Sequence, residues 1–431
     1  MGMVTSLRDE RGATCLGCGC ACDDIDVVID GTRIVAAGGS CPQGAAWFGD
    51  GVAPARARVA GEDRSVDDAL ECAAQRLSGA SRTLVYLAPG ISCEAQRRSV
   101  GLADRLRAAV DSVTSTTTRD LVLAFQERGM ATATLGEIRH RADLVVFWGV
   151  DPAVAYPRYA ARFAPDAPGL YAPDGRRSRV VMAVDIGARR GPTDADIRVE
   201  LPPSGEVPVL TALRALVMPA GPPSVPPSLS RDTVWGLAAS MAPVLAAARY
   251  IAVVADAEWA GDASRSSADA AALIAFVQAL NGPARAALSL LRAGGNRNGA
   301  DAVLTSQTGY PMAVDFSRGY PRYRPHEGTA AARLDRGEVD AVLVVGAVHD
   351  IPADVTSRLV SVPHVVIGAR ACESTLGGGV SAIDAATVGI HESGLVLRMD
   401  DVPLSVRALV EGPPTVVMLL DALTSRLRRP R

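Results

Sequence analysis

Cys15, Cys18, Cys22 and Cys41 follow the spacing C-x2-C-x3-C-x18-C, with Cys20 as a further thiol inside the loop. Five of the eight cysteines therefore fall between positions 15 and 41. An iron-sulfur cubane needs four thiolates around its irons; a tight Gly-containing loop can supply three and a hairpin can return the fourth. Four cysteines can also hold zinc, although the usual pair of C-x2-C knuckles is incomplete because the second half contributes Cys41 alone. Unligated thiols are the third reading, and spacing leaves all three open. Cys72, Cys93 and Cys372 stand singly and read as small buried hydrophobes.

Other chemistries are narrowed by what is missing. The chain of 431 residues has no lysine, so all 44 basic side chains are arginine. This excludes a Schiff-base lysine, a lysine general base and the lysine of a nucleotide P-loop. The five histidines, His140, His326, His349, His364 and His391, show no HxH or HExxH spacing. There is no G-x-S-x-G elbow, and Gly377-Gly-Gly-Val-Ser-Ala382 reads as a flexible glycine loop rather than a dinucleotide fingerprint. Gly309 to Pro325 packs three tyrosines and three arginines among Gly and Pro. Through Arg318 and Arg322 it could line an anionic pocket or bind a partner chain, and it could equally be a self-packed loop.

These groups must be held by a fold. The chain is 48% hydrophobic and 21% charged with net charge -3, the balance of a globular protein with no basic footprint for nucleic acid. The first residues carry no apolar h-region and no run of 18 apolar residues occurs, so a cytoplasmic, reducing location without membrane contact is expected. Residues 22 to 36 alternate around Asp30-Gly31 as a β-hairpin bracketed by cysteines. Ser65 and Asp68 can cap a helix whose apolar face is Val66, Ala69, Leu70, Ala73, Ala74 and Leu77.

Continuous apolar runs then alternate with Ala-rich helical patterns: Thr83 to Leu87, Leu144 to Trp148, Val180 to Val184, Tyr250 to Val254, Ala341 to Val345 and Val365 to Ile367. Such runs indicate parallel strands covered on both faces, an α/β class. Arg141 to Pro152 and Glu338 to Pro352 resemble each other as acidic residue, strand, Gly turn and Asp near Pro, which makes them equivalent strands of two related domains. Met218 to Ser230 reads as a Pro/Ser linker, and the terminal Arg426, Arg428, Arg429 and Arg431 as a solvated tail.

Together, CLGCGCACDDIDV with Cys41-Pro-Gln-Gly-Ala-Ala, TLGEIRHRADLVVFWGVDP, TGYPMAVDFSRGYPRYRP, RGEVDAVLVVG and RMDDVPLSV resemble the B subunit of formylmethanofuran dehydrogenase, in the molybdopterin oxidoreductase superfamily. The similarity runs over nearly the whole chain. It implies a Cys-rich hairpin domain (1–55), a discontinuous α/β domain (56–140 and 327–431) and a second α/β domain (141–326), the last two Rossmann-like. It also implies a [4Fe-4S] cluster on Cys15, Cys18, Cys22 and Cys41. The family's tungsten or molybdenum pterin takes a cysteine ligand from a Cys-His-Gly-Pro segment, which aligns with Thr117-Thr118-Arg119-Asp120. A threonine hydroxyl stays protonated at neutral pH and cannot replace a thiolate on a soft, high-valent metal.

That loss fits the formyltransferase/hydrolase complex of methylotrophic bacteria, whose hydrolase and transferase centres lie on other subunits. The expectation is a redox-degenerate B subunit without metal-pterin. It would work with hydrolase-type A, C and transferase-type D subunits in formyl transfer from a tetrahydromethanopterin-type carrier to a methanofuran-like carrier, and in hydrolysis to formate. The alternative is an active tungsten or molybdenum formylmethanofuran dehydrogenase with a [4Fe-4S] relay.

Overall fold

The computed structural model describes residues 7–218, 233–258 and 266–427. Most of the Pro/Ser linker and Arg428, Arg429 and Arg431 of the tail lie outside them. The chain divides into two compact units, one of residues 1–117 with 293–431 and one of 118–292.

The first unit opens with an antiparallel sheet of β1 (Leu7–Ala13), β2 (Ile25–Asp30) and β3 (Arg33–Gly38). The β2–β3 hairpin is the one the alternation foretold, turning at Gly31 with φ +60° and burying Ile25, Val27, Ile29 and Ile34 on one face. β1 carries no apolar alternation, because LRDERGA is an edge strand whose residues are mostly exposed. After β4 (Ala57–Val59) and β5 (Glu62–Arg64), Ser65 caps the helix Val66–Gly79 by accepting from Asp68 N, and Ala69, Leu70, Ala73, Ala74 and Leu77 are its buried stripe. β6 (Thr83–Leu87) and β7 (Ala109–Ser112) follow, each wholly buried.

The second unit is a fully parallel sheet of β8 (Leu144–Trp148), β9 (Val180–Ile186), β10 (Ile197–Leu201), β11 (Tyr250–Asp256) and β12 (Arg285–Leu291). Its order is β10-β9-β8-β11-β12, with the strand of the first repeated segment at the centre.

Back in the first unit, β13 (Val314–Asp315), β14 (Arg322–Tyr323), β15 (Ala341–Val345), β16 (His364–Gly368) and β17 (Ser381–Asp384) complete a nine-stranded sheet. Its order is β14-β13-β7-β6-β15-β16-β17-β4-β5. The five strands from β7 to β17 are parallel, and antiparallel pairs close both ends. β15, from the second repeated segment, is again central. A last hairpin, β18 (Gly394–Leu397) and β19 (Pro403–Val406), stands apart.

The architecture is thus a small antiparallel sheet with two larger α/β sheets. The unit boundaries differ from the sequence reading. Residues 293–326 belong with the first unit because β13 pairs with β7, and residues 118–140 belong with the second.

Candidate functional site

The cysteine loop follows β1 and is pinned shut by Cys15 N donating to Cys22 O at 2.8 Å. Inside it Ala21 takes φ +39° and donates its N–H to Cys18 O. Cys41 is the N-cap of the helix Pro42–Phe48, its sulfur accepting from Gly44 N at 3.4 Å, and Cys15 Sγ accepts from Gly17 N at 3.4 Å. A Cβ added to Gly44 would lie 3.2 Å from Cys15 Sγ and 3.8 Å from Cys41 Sγ, so these two sulfurs are no more than about 7 Å apart. Cys18 and Cys22 share the neighbourhood: burial, with the sulfurs of Cys18, Cys22 and Cys41 adding to it, pushes the Cys15 thiol up to about 12.

Four soft donors, two N–H···S hydrogen bonds and two glycines whose missing Cβ atoms leave room at the sulfurs fit an iron-sulfur cluster. A bound cation would reverse the protonation that burial imposes. Among the described residues no three His, Cys, Asp or Glu side chains are gathered to hold a single metal ion. Cys20 is fully buried, as are Cys93 and Cys372; Cys72 is partly exposed.

The loop is held from outside by segments distant in sequence. Met399 N donates to Gly19 O at 3.1 Å, and the neighbouring Arg398, 9% exposed, is paired with Asp400 at 2.6 Å. Gly295 N donates to Leu16 O at 3.1 Å while Gly295 O accepts from Gly90 N at 2.7 Å. This tandem glycine joins the cysteine loop to the turn after β6. Gly294 has no room for a side chain, since a Cβ there would lie 2.2 Å from Leu16 O and 2.8 Å from Cys18 N.

Beside the loop is a cavity of about 510 Å³ at the carboxyl ends of β6, β15 and β16, the crevice where α/β sheets bind ligands. Leu16, Gly17 and Trp47 form its cysteine-loop side, and Arg297, His349 and Arg370 bring polar groups. His391 also lines it, its Nε2 at 2.8 Å from Gly51 O and its Nδ1 accepting from Thr387 N. Burial lowers this histidine's pKa, so the ring is a neutral brace for the 49–51 turn.

Thr117 is 4% exposed and ends a short helical turn after β7. Its hydroxyl donates to its own turn, at Val113 O, 3.2 Å away. The same turn is anchored by Thr114 Oγ1 to Asp301 and by Ser115 Oγ to the buried Asp111, which also accepts from Ala313 N and Ala330 N. Thr118, also buried, stands at the N-terminus of the helix Arg119–Arg128. The Thr117 hydroxyl is not a soft donor, so this residue does not fit the role of a thiolate ligand to a metal-pterin.

In the Tyr/Arg segment Arg322 is held within the segment's own hydrogen-bond network. Arg322 donates to Asp315 Oδ2 at 3.0 Å and Arg333 to the same oxygen at 2.8 Å. Despite burial, the hydrogen bonds of Ser317 and Arg333 hold Asp315 down at about 2. Tyr310 and Tyr323 stack at 4.9 Å, and Arg318 sits exposed on the turn. Of the readings left open, self-packing accounts for Arg322, and neither arginine lines the cavity described above. Gly377 to Gly379 lead into β17 rather than a helix, which removes the dinucleotide fingerprint.

The sequence reading missed Gly294, Gly295, Arg297 and Trp47. The signal was present for the glycines, a tandem pair three residues after the strand-like run Ala286 to Leu291. No helix among the described residues is long and apolar enough to cross a membrane.

Comparison with family models gives no match. The chain is 30% identical over 422 residues to the B subunit of the tungsten-containing formylmethanofuran dehydrogenase 2 of Methanocaldococcus jannaschii, covering 94% of this chain and 95% of that one. It is 29% identical over 436 residues to the protein of the same description from Methanococcus maripaludis, covering 96% of each. Among solved structures, its fold is similar to a chain of the formyltransferase/hydrolase complex of Methylorubrum extorquens in complex with methylofuran. There the TM-score is 0.70 at 22% identity, covering 86% of this chain and 98% of that one.

Proposed function

The chain belongs to the family of formylmethanofuran dehydrogenase B subunits, and from that premise we propose that it is a B-type subunit of a formyltransferase/hydrolase complex with no redox catalysis of its own. The residue that carries this reading is Thr117: at the position that the resemblance matches to the family's metal-ligand cysteine stands a buried hydroxyl, which donates to Val113 O. Formyl transfer and hydrolysis of the formyl amide to formate move no electrons between carbon and metal, so a complex doing them needs no metal-pterin in this subunit. Catalysis then resides on the hydrolase-type A and C and transferase-type D partners. This chain contributes docking surfaces and a closed scaffold.

Cys15, Cys18, Cys22 and Cys41 are the residues that would hold a [4Fe-4S] cluster. When bound, such a cluster supplies one-electron transfer and a rigid cross-link between loop and hairpin. Here the Gly17 and Gly44 N–H groups orient two of the sulfurs, and Met399 and Gly295 keep the loop against the body of the unit. In a non-redox subunit the cross-link is the property used. A cytoplasmic location is part of this proposal.

The second reading, a tungsten or molybdenum dehydrogenase, is favoured by the names of the 30% and 29% identical relatives. The two separate in one assay of the purified complex supplied with formylated carrier. The proposed function expects formate release without reduction of a viologen dye, unchanged by Thr117→Ala. Formyl-dependent dye reduction that Thr117→Ala abolishes would replace it with the dehydrogenase.

A further inference from the structure

We propose that Leu170 and Tyr171 form a rigid docking knob on the second unit, made to enter an apolar recess rimmed by carboxylates on a partner subunit. The proposal rests on the multi-subunit reading above and adds the surface through which it is realised.

Leu170 and Tyr171 are adjacent and 73% and 65% exposed, large hydrophobics shown to solvent side by side. The loop that carries them is not loose. Leu170 N donates to His140 Nδ1 at 3.2 Å and Tyr171 N to His140 O at 2.9 Å. Beneath them Arg179, 4% exposed, donates with its whole guanidinium to carbonyls of this loop and of the preceding helix. Gly169 passes so close to the helix end that a Cβ would lie 2.0 Å from Arg139 O. A buried cation with no carboxylate bonded to it among the described residues is a costly device for holding two apolar side chains in water, unless something covers them. Pre-ordering of this kind removes the entropy otherwise lost on association.

The occupant is constrained by shape and charge. The feature is convex and two residues wide, so its complement is concave. Arg141 stands over the Tyr171 ring with its guanidinium carbon 5.9 Å from the centroid, and Arg139 is tied to Pro168 O alongside. Arg141 Nε also lies 3.9 Å from Glu137 Oε1, so the knob is flanked by two arginines and one glutamate; this net positive rim is matched by an apolar recess with an acidic rim, and Tyr and Arg are the residue types that anchor protein interfaces. The knob lies where the chain enters β8 and β9, at the amino end of the parallel strands. It therefore leaves the carboxyl edge, where such sheets take small ligands, unobstructed.

The test is assembly of the full chain with the A, C and D subunits, comparing wild type with Leu170→Glu/Tyr171→Glu and with Arg141→Glu by gel filtration and titration. The double variant is expected to bind at least about 100-fold more weakly and Arg141→Glu about 10-fold more weakly. The melting temperatures should stay at the wild-type value, because all three side chains are at the surface. Wild-type assembly matched by the double variant would overturn the knob and leave the proposed function standing. If the double variant instead turns a wild-type homodimer into a monomer, the occupant is a second copy, which overturns the partner-subunit assignment. A wild-type chain that joins none of these subunits would overturn the proposed function and the knob with it.

Discussion

Gly294→Ala is expected to destabilise the first unit by about 3 kcal/mol, at the upper end of what overpacking causes. The methyl group would meet Leu16 O and Cys18 N, both backbone atoms, so no rotamer change can make room. Either the tandem glycine retreats and gives up the Gly295 N to Leu16 O bond, or the cysteine loop moves. The second course pulls Cys15 and Cys18 away from Cys22 and Cys41, so the variant should also bind less iron than wild type. Gly378→Ala is the matched control. A Cβ there meets nothing within 4 Å, so a change below about 0.5 kcal/mol is expected. Urea denaturation of both variants, with iron measured on each, checks the pair; equal stabilities would show that the loop does not depend on Gly294.

Arg179→Ala is expected to remove about 3–4 kcal/mol from the second unit. Its guanidinium donates to Ala142 O at 3.0 Å, Pro165 O at 2.5 Å, Ala167 O at 2.7 Å and Arg139 O at 2.6 Å. Truncation strands these carbonyls and opens a void under the 163–175 loop. Burial lowers the arginine's pKa, but the group remains a cation at any pH the protein meets. Arg179→Lys should recover little, because an ammonium cannot reproduce a planar fork reaching four acceptors. Limited proteolysis gives a second readout: cleavage near Leu170 should accelerate in both variants, whereas wild-type stability and cleavage in Arg179→Ala would mean the clamp is ornamental.

Wherever the chain wrote its structure locally, the sequence could be read. The β2–β3 hairpin, the Ser65-capped helix and all six apolar strands stand where alternation, capping and apolar runs put them. Local pattern also marked the two repeated segments as equivalent strands, and each stands in a different sheet. What it could not carry were contacts between segments far apart along the chain. The different placing of 293–326 comes from β13, only two residues long, whose partner β7 lies some two hundred positions earlier. The role of Arg322 stayed open because Asp315, to which both it and Arg333 donate, belongs to a network that no spacing announces. β1 was invisible for a different reason, since an exposed edge strand needs no apolar face. At the site, the cysteine spacing singled out four thiols but not the segments that hold their loop, because Gly294, Gly295 and Met399 reach it from far along the chain.

The central claim is that this subunit kept the architecture of a redox enzyme and lost the redox centre. It is tested most directly by measuring iron, sulfide, zinc, tungsten and molybdenum per chain on anaerobically purified protein. About four irons with matching sulfide, consistent with one cubane, and neither tungsten nor molybdenum are expected. Stoichiometric tungsten or molybdenum would contradict it, since the metal would then be held without the thiolate that Thr117 cannot supply.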